Sequence, residues 1–176
     1  MTEEKKVLVK DIEINYRVFG EGKPFLILHG WRSKAERWKT VAEPLVQKGC
    51  KVIVPDLPGF GLSQEPKTAW SVDEYVEWLH DFCQQMPDLK GEFTMLGHSF
   101  GGTVATKFAI KYNQHVKKLF LVAPSCIRTV TFSQKISGVI LRVFKAFYFF
   151  PFYESFRKFV YTYIIRKSDY PYVSGI

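Results

Sequence analysis

The clearest fold signal in the chain is the stretch Phe93-Thr94-Met95-Leu96-Gly97-His98-Ser99-Phe100-Gly101-Gly102. Its apolar first half is typical of a strand that is covered on both faces of a sheet. The residues after it carry an apolar stripe at helical spacing, with Val104, Phe108 and Tyr112 on one face. The stretch therefore predicts a buried strand, a sharp turn at Ser99 and a helix.

The same alternation of strands and helices continues along the first 127 residues. Two further helices are predicted, one beginning with the capping box of Ser71 and Glu74 and a weaker one beginning near Ser33. Pro44 is expected in the first turn of the weaker helix or as a break in it. The remaining strands are predicted at 12–18, 24–28, 51–55 and 116–122.

The strand patterns indicate the type of sheet. Residues 12–18 alternate apolar with polar, as expected for a half-buried antiparallel strand, whereas the other runs are mainly apolar, with Lys51, Lys117 and Lys118 near their starts. Apolar strands that alternate with helices predict a parallel sheet, whose ligands bind beyond the carboxyl ends of the strands. The predicted class is an α/β fold with a mainly parallel, doubly wound sheet and an antiparallel N-terminal strand.

A serine lies between two glycines at the predicted turn. The motif consists of Gly97, His98, Ser99, Phe100 and Gly101, followed by Gly102. Between a buried strand and a helix, this G-x-S-x-G pattern indicates a nucleophile elbow, in which a strained turn exposes the serine hydroxyl. The glycines are needed because side chains there would strike the neighbouring strand or helix. The alternative is a glycine-rich turn with a solvated serine.

A second motif, His29-Gly30-Trp31, follows the strand predicted at 24–28. An acyl-transfer site needs two N–H donors aimed at the oxygen that becomes negatively charged. One is expected from Phe100, the residue after the serine, and the other from the backbone of Trp31. His29 is expected to be structural and to hold this loop through its ring nitrogens.

A third motif, Asp-Leu-Pro-Gly-Phe-Gly-Leu-Ser at 56–63, follows the strand predicted at 51–55. Its glycine and proline content predicts a tight turn. We expect Asp56 to fix that turn by accepting backbone N–H bonds, and prefer this structural interpretation to a role as a catalytic acid.

Together the motifs at 29–31, 56–63 and 97–102 resemble the α/β-hydrolase family in order and spacing, over about residues 7–127. The resemblance implies Ser99 as nucleophile and Trp31 and Phe100 as oxyanion-hole amides. It implies cleavage of esters, thioesters or amides and, in some branches, of carbon–carbon bonds, or peroxide chemistry. No cofactor and no metal are expected.

The family order of the catalytic triad is serine, then an acid, then histidine. The four histidines of this chain are at positions 29, 80, 98 and 115, so none follows residue 115. The sequence thus supplies a nucleophile and oxyanion donors without the acid or the base. We therefore expect an N-terminal fragment of a longer hydrolase, which is inactive or weakly active by itself.

The composition changes near residue 127. Residues 128–176 hold 8 basic and 2 acidic side chains and 14 of the 29 aromatic residues. We predict a core at 1–127, and residues 128–176 resemble the start of the family's helical cap, which implies closure over an apolar or aromatic acyl substrate. Weak membrane-surface contact through 133–167 is the rival interpretation, and no nucleic-acid-binding pattern is recognised.

Cys50, Cys83 and Cys126 match no zinc or redox spacing, so buried, unreactive thiols and a cytoplasmic setting are expected.

The predicted function is a serine hydrolase that forms an acyl-enzyme on an ester-like substrate. The alternative is a non-catalytic module that binds a partner or a membrane surface.

Overall fold

The computed structural model describes residues 2–125, in which six strands form one sheet and three α-helices pack against it. In chain order the elements are β1 Thr2–Val9, β2 Ile12–Phe19, β3 Lys23–Leu28, α1 Lys39–Gln47, β4 Cys50–Pro55, α2 Val72–Gln85, β5 Phe93–His98, α3 Phe100–Lys111 and β6 Val116–Val122. The boundary predicted at 127 and the cap predicted at 128–176 lie outside the described residues and stay predictions. So does membrane contact through 133–167.

The sheet is mixed, with the strand order β1-β2-β4-β3-β5-β6. The pairs β4–β3, β3–β5 and β5–β6 are parallel, whereas β1–β2 and β2–β4 are antiparallel. The predicted mainly parallel α/β fold is confirmed. The predicted antiparallel strand is β2, and β1, which the sequence did not predict, extends the antiparallel part to two strands.

The charged sequence of β1 explains why its strand was not predicted. Most of its side chains are exposed, so no apolar pattern marks it. Its place comes from a hairpin with β2, closed by Lys10 and Asp11 at φ 50° and 61°. A two-residue turn with both central φ values positive matches the twist of paired strands.

Helices cover both faces of the sheet, and alternating strand residues serve each face. Leu26 and Leu28 of β3 belong to a core that α2 and α3 complete with Trp78, Phe82 and Phe108. The intervening residues of β3 face a smaller core on the α1 side, formed by Phe19, Phe25, Ile27, Ala35, Ala42, Val52 and Val54. The doubly wound arrangement is therefore present in residues 2–125.

One local prediction differs from the structure. Pro44 lies inside α1 and neither starts nor splits it. Pro44 is exposed, and it cannot donate the helical hydrogen bond to the Thr40 carbonyl. β6 forms an edge of the sheet in residues 2–125, where its only neighbouring strand is β5, and Phe120 and Val122 are 49% and 45% exposed.

The described cysteines differ in burial, which corrects the expectation that all are buried. Cys83 is fully buried in α2, whereas Cys50 at the start of β4 is partly exposed. Cys126 lies outside the described residues.

Burial raises the pKa of the Cys83 thiol far above its ordinary range. Since the thiolate is the reactive form, we predict that Cys83 resists a disulfide reagent in the native protein and reacts after unfolding. Timed labelling with mapping by mass spectrometry checks this. Native labelling of Cys83 as fast as that of Cys50 would contradict the buried placement.

Candidate active site

The three sequence motifs meet at one edge of the sheet. β3, β4 and β5 are parallel neighbours, so their carboxyl ends lie side by side. The loops that follow them carry residues 29–34, 56–63 and 99. This edge is where α/β sheets bind ligands.

Ser99 occupies the joint between β5 and α3 in a strained conformation. Its φ of 50° and ψ of −117° lie outside the regions that L-residues normally adopt. Its N–H donates to the Val122 carbonyl at 3.0 Å, and its own carbonyl accepts the N–H groups of Gly102, Thr103 and Ser125 at 3.0–3.2 Å. Its side chain makes no capping hydrogen bond with α3. The backbone of Ser99 is thus fixed from several sides while its hydroxyl is left available.

The glycines of the motif allow close contact between the elements around Ser99. A Cβ on Gly97 would lie 2.7 Å from the Ala105 Cβ, and one on Gly101 would lie 2.4 Å from the carbonyl oxygens of Leu28 and His29. A Cβ on Gly102 would lie 2.8 Å from the Pro124 Cβ. Each glycine is required by packing, because real Cβ atoms do not approach other atoms so closely.

The loop after β3 passes directly beside Ser99. A Cβ on Gly30 would lie 3.1 Å from the Ser99 Cβ, and the rings of Trp31 and Phe100 are 5.3 Å apart between centroids. Within residues 2–125, the N–H groups of Trp31 and Phe100 make no backbone–backbone hydrogen bond. Phe100 is the first residue of α3, where an N–H has no partner inside the helix. The two amides are therefore not committed to secondary structure.

His29 links the loop after β3 to the loop after β4. Its Nδ1–H donates to the Gly30 carbonyl at 2.8 Å, and its Nε2 accepts the N–H of Leu57 at 2.9 Å. These two bonds define a neutral ring protonated on Nδ1. Burial lowers the pKa of His29, whose side chain is fully enclosed.

This lowered pKa predicts a pH-dependent stability. The pKa of histidine in the unfolded chain is about 6.5. Below that pH the unfolded chain binds a proton that folded His29 does not bind, so the free energy of unfolding decreases as the pH decreases. The stabilisation is present above that value and is lost as the pH falls towards the folded pKa. We therefore expect a smaller free energy of unfolding at pH 5.5 than at pH 7.5.

Urea unfolding at both pH values measures this loss. His29→Asn should reduce the difference between the two pH values, whereas His115→Asn keeps His29 and should retain it. Equal pH dependence in His29→Asn and the wild type would contradict the assignment.

The other three histidines do not contact Ser99 through a hydrogen bond in the structure. The ring of His98 lies 5.8 Å from that of Trp38, on the α1 side of the sheet. His80 stacks on Tyr112 at 4.2 Å and lies 6.1 Å from His115. Tyr112 follows the last turn of α3, so it lies about 20 Å from Ser99 at a rise of 1.5 Å per residue.

Asp56 lies directly after β4 and is 2% exposed. Its carboxylate accepts the backbone N–H groups of Ala35 at 2.5 Å and Leu62 at 3.0 Å. One of these donors belongs to the loop after β3, which the sequence did not indicate.

Residues 2–125 hold no cluster of three or more His, Cys, Asp or Glu able to bind a metal.

A groove of about 820 Å³ opens beside the motifs. Its aromatic lining includes Trp31, Phe60, Trp70, Tyr75 and Phe100, and charged side chains at Arg32, Glu65 and Lys67 also line it. The rings contact one another edge to face, with centroids 5.0–5.3 Å apart for Trp31–Phe60, Trp70–Tyr75 and Tyr75–Phe100. Tyr75 is held by a hydrogen bond from its hydroxyl to the Pro58 carbonyl at 3.0 Å.

Sequence reasoning missed Phe60, Trp70 and Tyr75 as groove residues. Phe60 is part of the motif at 56–63, which predicts a turn, and Tyr75 lies inside α2, after its capping box. The contacts that join these rings are non-local, so only the fold reveals them.

The chain belongs to the alpha/beta hydrolase fold family, because the sequence profile of that family matches residues 23–157. Among curated relatives, a pimeloyl-[acyl-carrier protein] methyl ester esterase of Vibrio campbellii is 37% identical over 112 residues, 64% of this chain and 41% of the relative. Lipase 3 of a Moraxella species is 34% identical over 102 residues, 57% of this chain and 31% of the relative.

Solved structures show the same architecture. The thioesterase domain from the curacin biosynthetic pathway superposes with a TM-score of 0.65 at 30% identity, covering 70% of this chain and 47% of that domain. The curated relatives are longer than the matched part, since this chain spans 31% of the first of them and 52% of another. No helix in the described residues has the length and apolar character of a membrane span.

Proposed function

We propose that the protein is a serine hydrolase that acts on ester-like acyl substrates. Ser99 is the nucleophile, and the backbone N–H groups of Trp31 and Phe100 bind the oxyanion. The observation that carries this proposal is the strained backbone of Ser99. Its hydroxyl makes no capping hydrogen bond, and the nearby N–H groups of Trp31 and Phe100 make no backbone hydrogen bond. The named activities of the esterase, lipase and thioesterase relatives support the same reaction class.

In the proposed reaction, Ser99 Oγ attacks the carbonyl carbon of the acyl group. The carbonyl oxygen becomes negatively charged, and two N–H donors stabilise it more strongly than they stabilise the neutral substrate. The tetrahedral species then releases the leaving group and forms an acyl-enzyme. Water attacks that intermediate in a second, similar step and regenerates Ser99.

The attack also needs a base for the Ser99 proton. All four histidines of the chain lie within the described residues, and none hydrogen-bonds Ser99. We therefore propose that this chain reacts with activated reagents but turns over ordinary esters slowly. An oxyanion hole retains part of the rate enhancement when triad members are removed, about 10³–10⁴ over water in a well-studied protease.

The groove suggests the substrate class. Edge-to-face aromatic rings with apolar faces suit an apolar or aromatic acyl group, which fits by burial rather than by hydrogen bonding. The volume of about 820 Å³ is within the range of small-molecule sites. We propose that the acyl group lies along Trp31 and Phe100 towards Trp70.

A fluorophosphonate probe tests the proposal. We expect one covalent adduct, mapped to Ser99 and absent from Ser99→Ala. Ser125→Ala provides the matched control, because its hydroxyl is exposed, bonds Thr103 and lies close to the same turn. That variant should label at the wild-type rate. A folded sample without an adduct on Ser99 would refute the proposal.

One observation favours a second candidate, a non-catalytic binding module. No histidine of the chain engages Ser99, whereas the groove is already formed in residues 2–125. Such a module should bind apolar acyl compounds with equal affinity in the wild type and in Ser99→Ala, and neither should be labelled. Calorimetry with a non-hydrolysable ketone analogue of an aryl ester, together with the probe, separates the two candidates.

A further inference from the structure

A buried carboxylate cross-links the two loops that flank Ser99. Asp56 Oδ1 accepts the N–H of Ala35 at 2.5 Å, and Oδ2 accepts the N–H of Leu62 at 3.0 Å and the Nδ2–H of Asn15 at 3.1 Å. These donors come from the loop after β3, the loop after β4 and strand β2. The Asp56 side chain thus forms hydrogen bonds with three separate parts of the chain.

The Ala35 bond closes the segment that carries Trp31. Within this segment the Ser33 N–H donates to the Gly30 carbonyl at 3.2 Å, which makes a turn. At its beginning, His29 accepts the N–H of Leu57 at 2.9 Å. The segment from residue 29 to residue 35 is therefore tied to the loop after β4 at both ends, with Trp31 between the two ties.

The chemistry of the cross-link requires a carboxylate. All three partners are donors, and an amide at position 56 would turn a donor of its own towards one of them. Hydrogen bonds to a charged acceptor are roughly twice as strong as neutral ones, which suits a link that must resist loop motion. No Lys or Arg in the described part of the chain forms an ion pair with Asp56.

Strand β2 supports the same cross-link. The Asn15 N–H donates to Ser63 Oγ at 3.0 Å, and that hydroxyl donates to the Asp56 carbonyl at 2.7 Å. Asn15 is 1% exposed, and its Oδ1 has no partner among the described residues. Burying an amide with its oxygen unpaired costs folding free energy. The side-chain hydrogen bond from Asn15 to Asp56 is therefore the contact that favours an asparagine at this position.

We infer that Asp56 is a positioning residue that holds the backbone amide of Trp31 beside Ser99, with Asn15 as its support. The kinetic consequence rests on the proposed function of Ser99, whereas the coupling between the loops does not. A loop freed at Ala35 moves the Trp31 amide out of line with the developing oxyanion. Loss of one oxyanion donor reduces rates by about 10²–10³.

The test compares Asp56→Asn with Asp88→Asn. Asp88 offers a matched carboxylate-to-amide change, since its carboxylate pairs with Lys51 at 2.7 Å at the start of β4, the end opposite Asp56. Both variants are studied at a temperature at which circular dichroism shows them fully folded. Asn15→Ala is the milder second variant if Asp56→Asn does not fold, because it removes one donor and leaves the Ala35 bond.

Hydrogen exchange gives the first readout, independent of any reaction. In Asp56→Asn, or more weakly in Asn15→Ala, we expect faster exchange in peptides covering residues 30–36 and unchanged exchange in peptides covering α3. Asp88→Asn should match the wild type in both regions. Faster exchange throughout residues 2–125 overturns the inference. An exchange rate in residues 30–36 that equals that of the wild type also overturns it.

Phosphonylation of Ser99 gives the second readout. Asp56→Asn should lower the maximal labelling rate constant by about 10- to 100-fold with little change in probe affinity. A purely structural role would lower the melting temperature and leave this rate constant unchanged, which overturns the inference. Absence of labelling in the wild type instead refutes the role of Ser99, and the exchange measurement then decides alone on Asp56.

Discussion

Gly101→Ala is expected to destabilise the protein by about 3 kcal/mol, although alanine is normally the better helix residue by about 1 kcal/mol. Gly101 is in the first turn of α3, and a Cβ there would lie 2.4 Å from the carbonyl oxygens of Leu28 and His29. These are backbone atoms of the strand end that leads into the loop after β3, so they cannot rotate away. The clash outweighs the gain in helix propensity.

Gly91→Ala is the matched control for this prediction. Nothing lies within 4 Å of a Cβ at Gly91, so the change there should be neutral or stabilising by up to about 1 kcal/mol. Urea unfolding of the two variants measures the difference. Equal stability of Gly101→Ala and Gly91→Ala would show that α3 is not packed against the end of β3.

Ser99→Gly is expected to abolish fluorophosphonate labelling and at the same time to stabilise the protein. A non-glycine residue held at φ 50° and ψ −117° costs about 1–3 kcal/mol, and glycine loses about 0.5–1 kcal/mol of that gain to chain entropy. A net stabilisation of about 1 kcal/mol follows. Ser99→Ala keeps the Cβ and therefore the strain.

The comparison of the two Ser99 variants isolates this strain, since both lack the hydroxyl. Thermal and urea unfolding should rank Ser99→Gly above Ser99→Ala, with the latter near the wild type. A less stable Ser99→Gly would mean that the backbone at this joint is relaxed. The elbow would then store no strain for function.

Features encoded in adjacent residues were predicted from the sequence. The strand, turn and helix around Ser99 depend on an apolar run, three glycines and a helical stripe, all within a short segment. The start of α2 was predicted from Ser71 and Glu74, and the Ser71 N–H donates to the Glu74 carboxylate at 2.6 Å. Such features follow from local sterics and hydrogen bonding, so one sequence is sufficient to find them.

Features that depend on distant contacts were missed. β1 is a strand only because β2 lies beside it, since its own charged sequence shows no buried face. Asn15 is an ordinary polar position in the pattern of β2, and its link to Asp56 joins residues 41 apart in sequence. The groove likewise joins the loop after β3 to the start of α2.

The candidate site was predicted in position and only partly in organisation. The motifs at 29–31, 56–63 and 97–102 do meet at one edge of the sheet, as parallel strands require. The sequence did not reveal that the carboxylate of Asp56 bonds to Ala35 in another loop. That contact joins residues 21 apart in sequence, and composition and motif spacing do not encode it.

The central proposal is that Ser99 faces two amides, one from the loop after β3 and one from the start of α3. A crystal structure of the protein after reaction with a fluorophosphonate measures this directly. We predict a phosphorus atom bonded to Ser99 Oγ, with one phosphonyl oxygen at about 2.7–3.1 Å from the nitrogens of both Trp31 and Phe100. An adduct whose oxygens point to solvent, with either amide turned to another acceptor, would contradict the account.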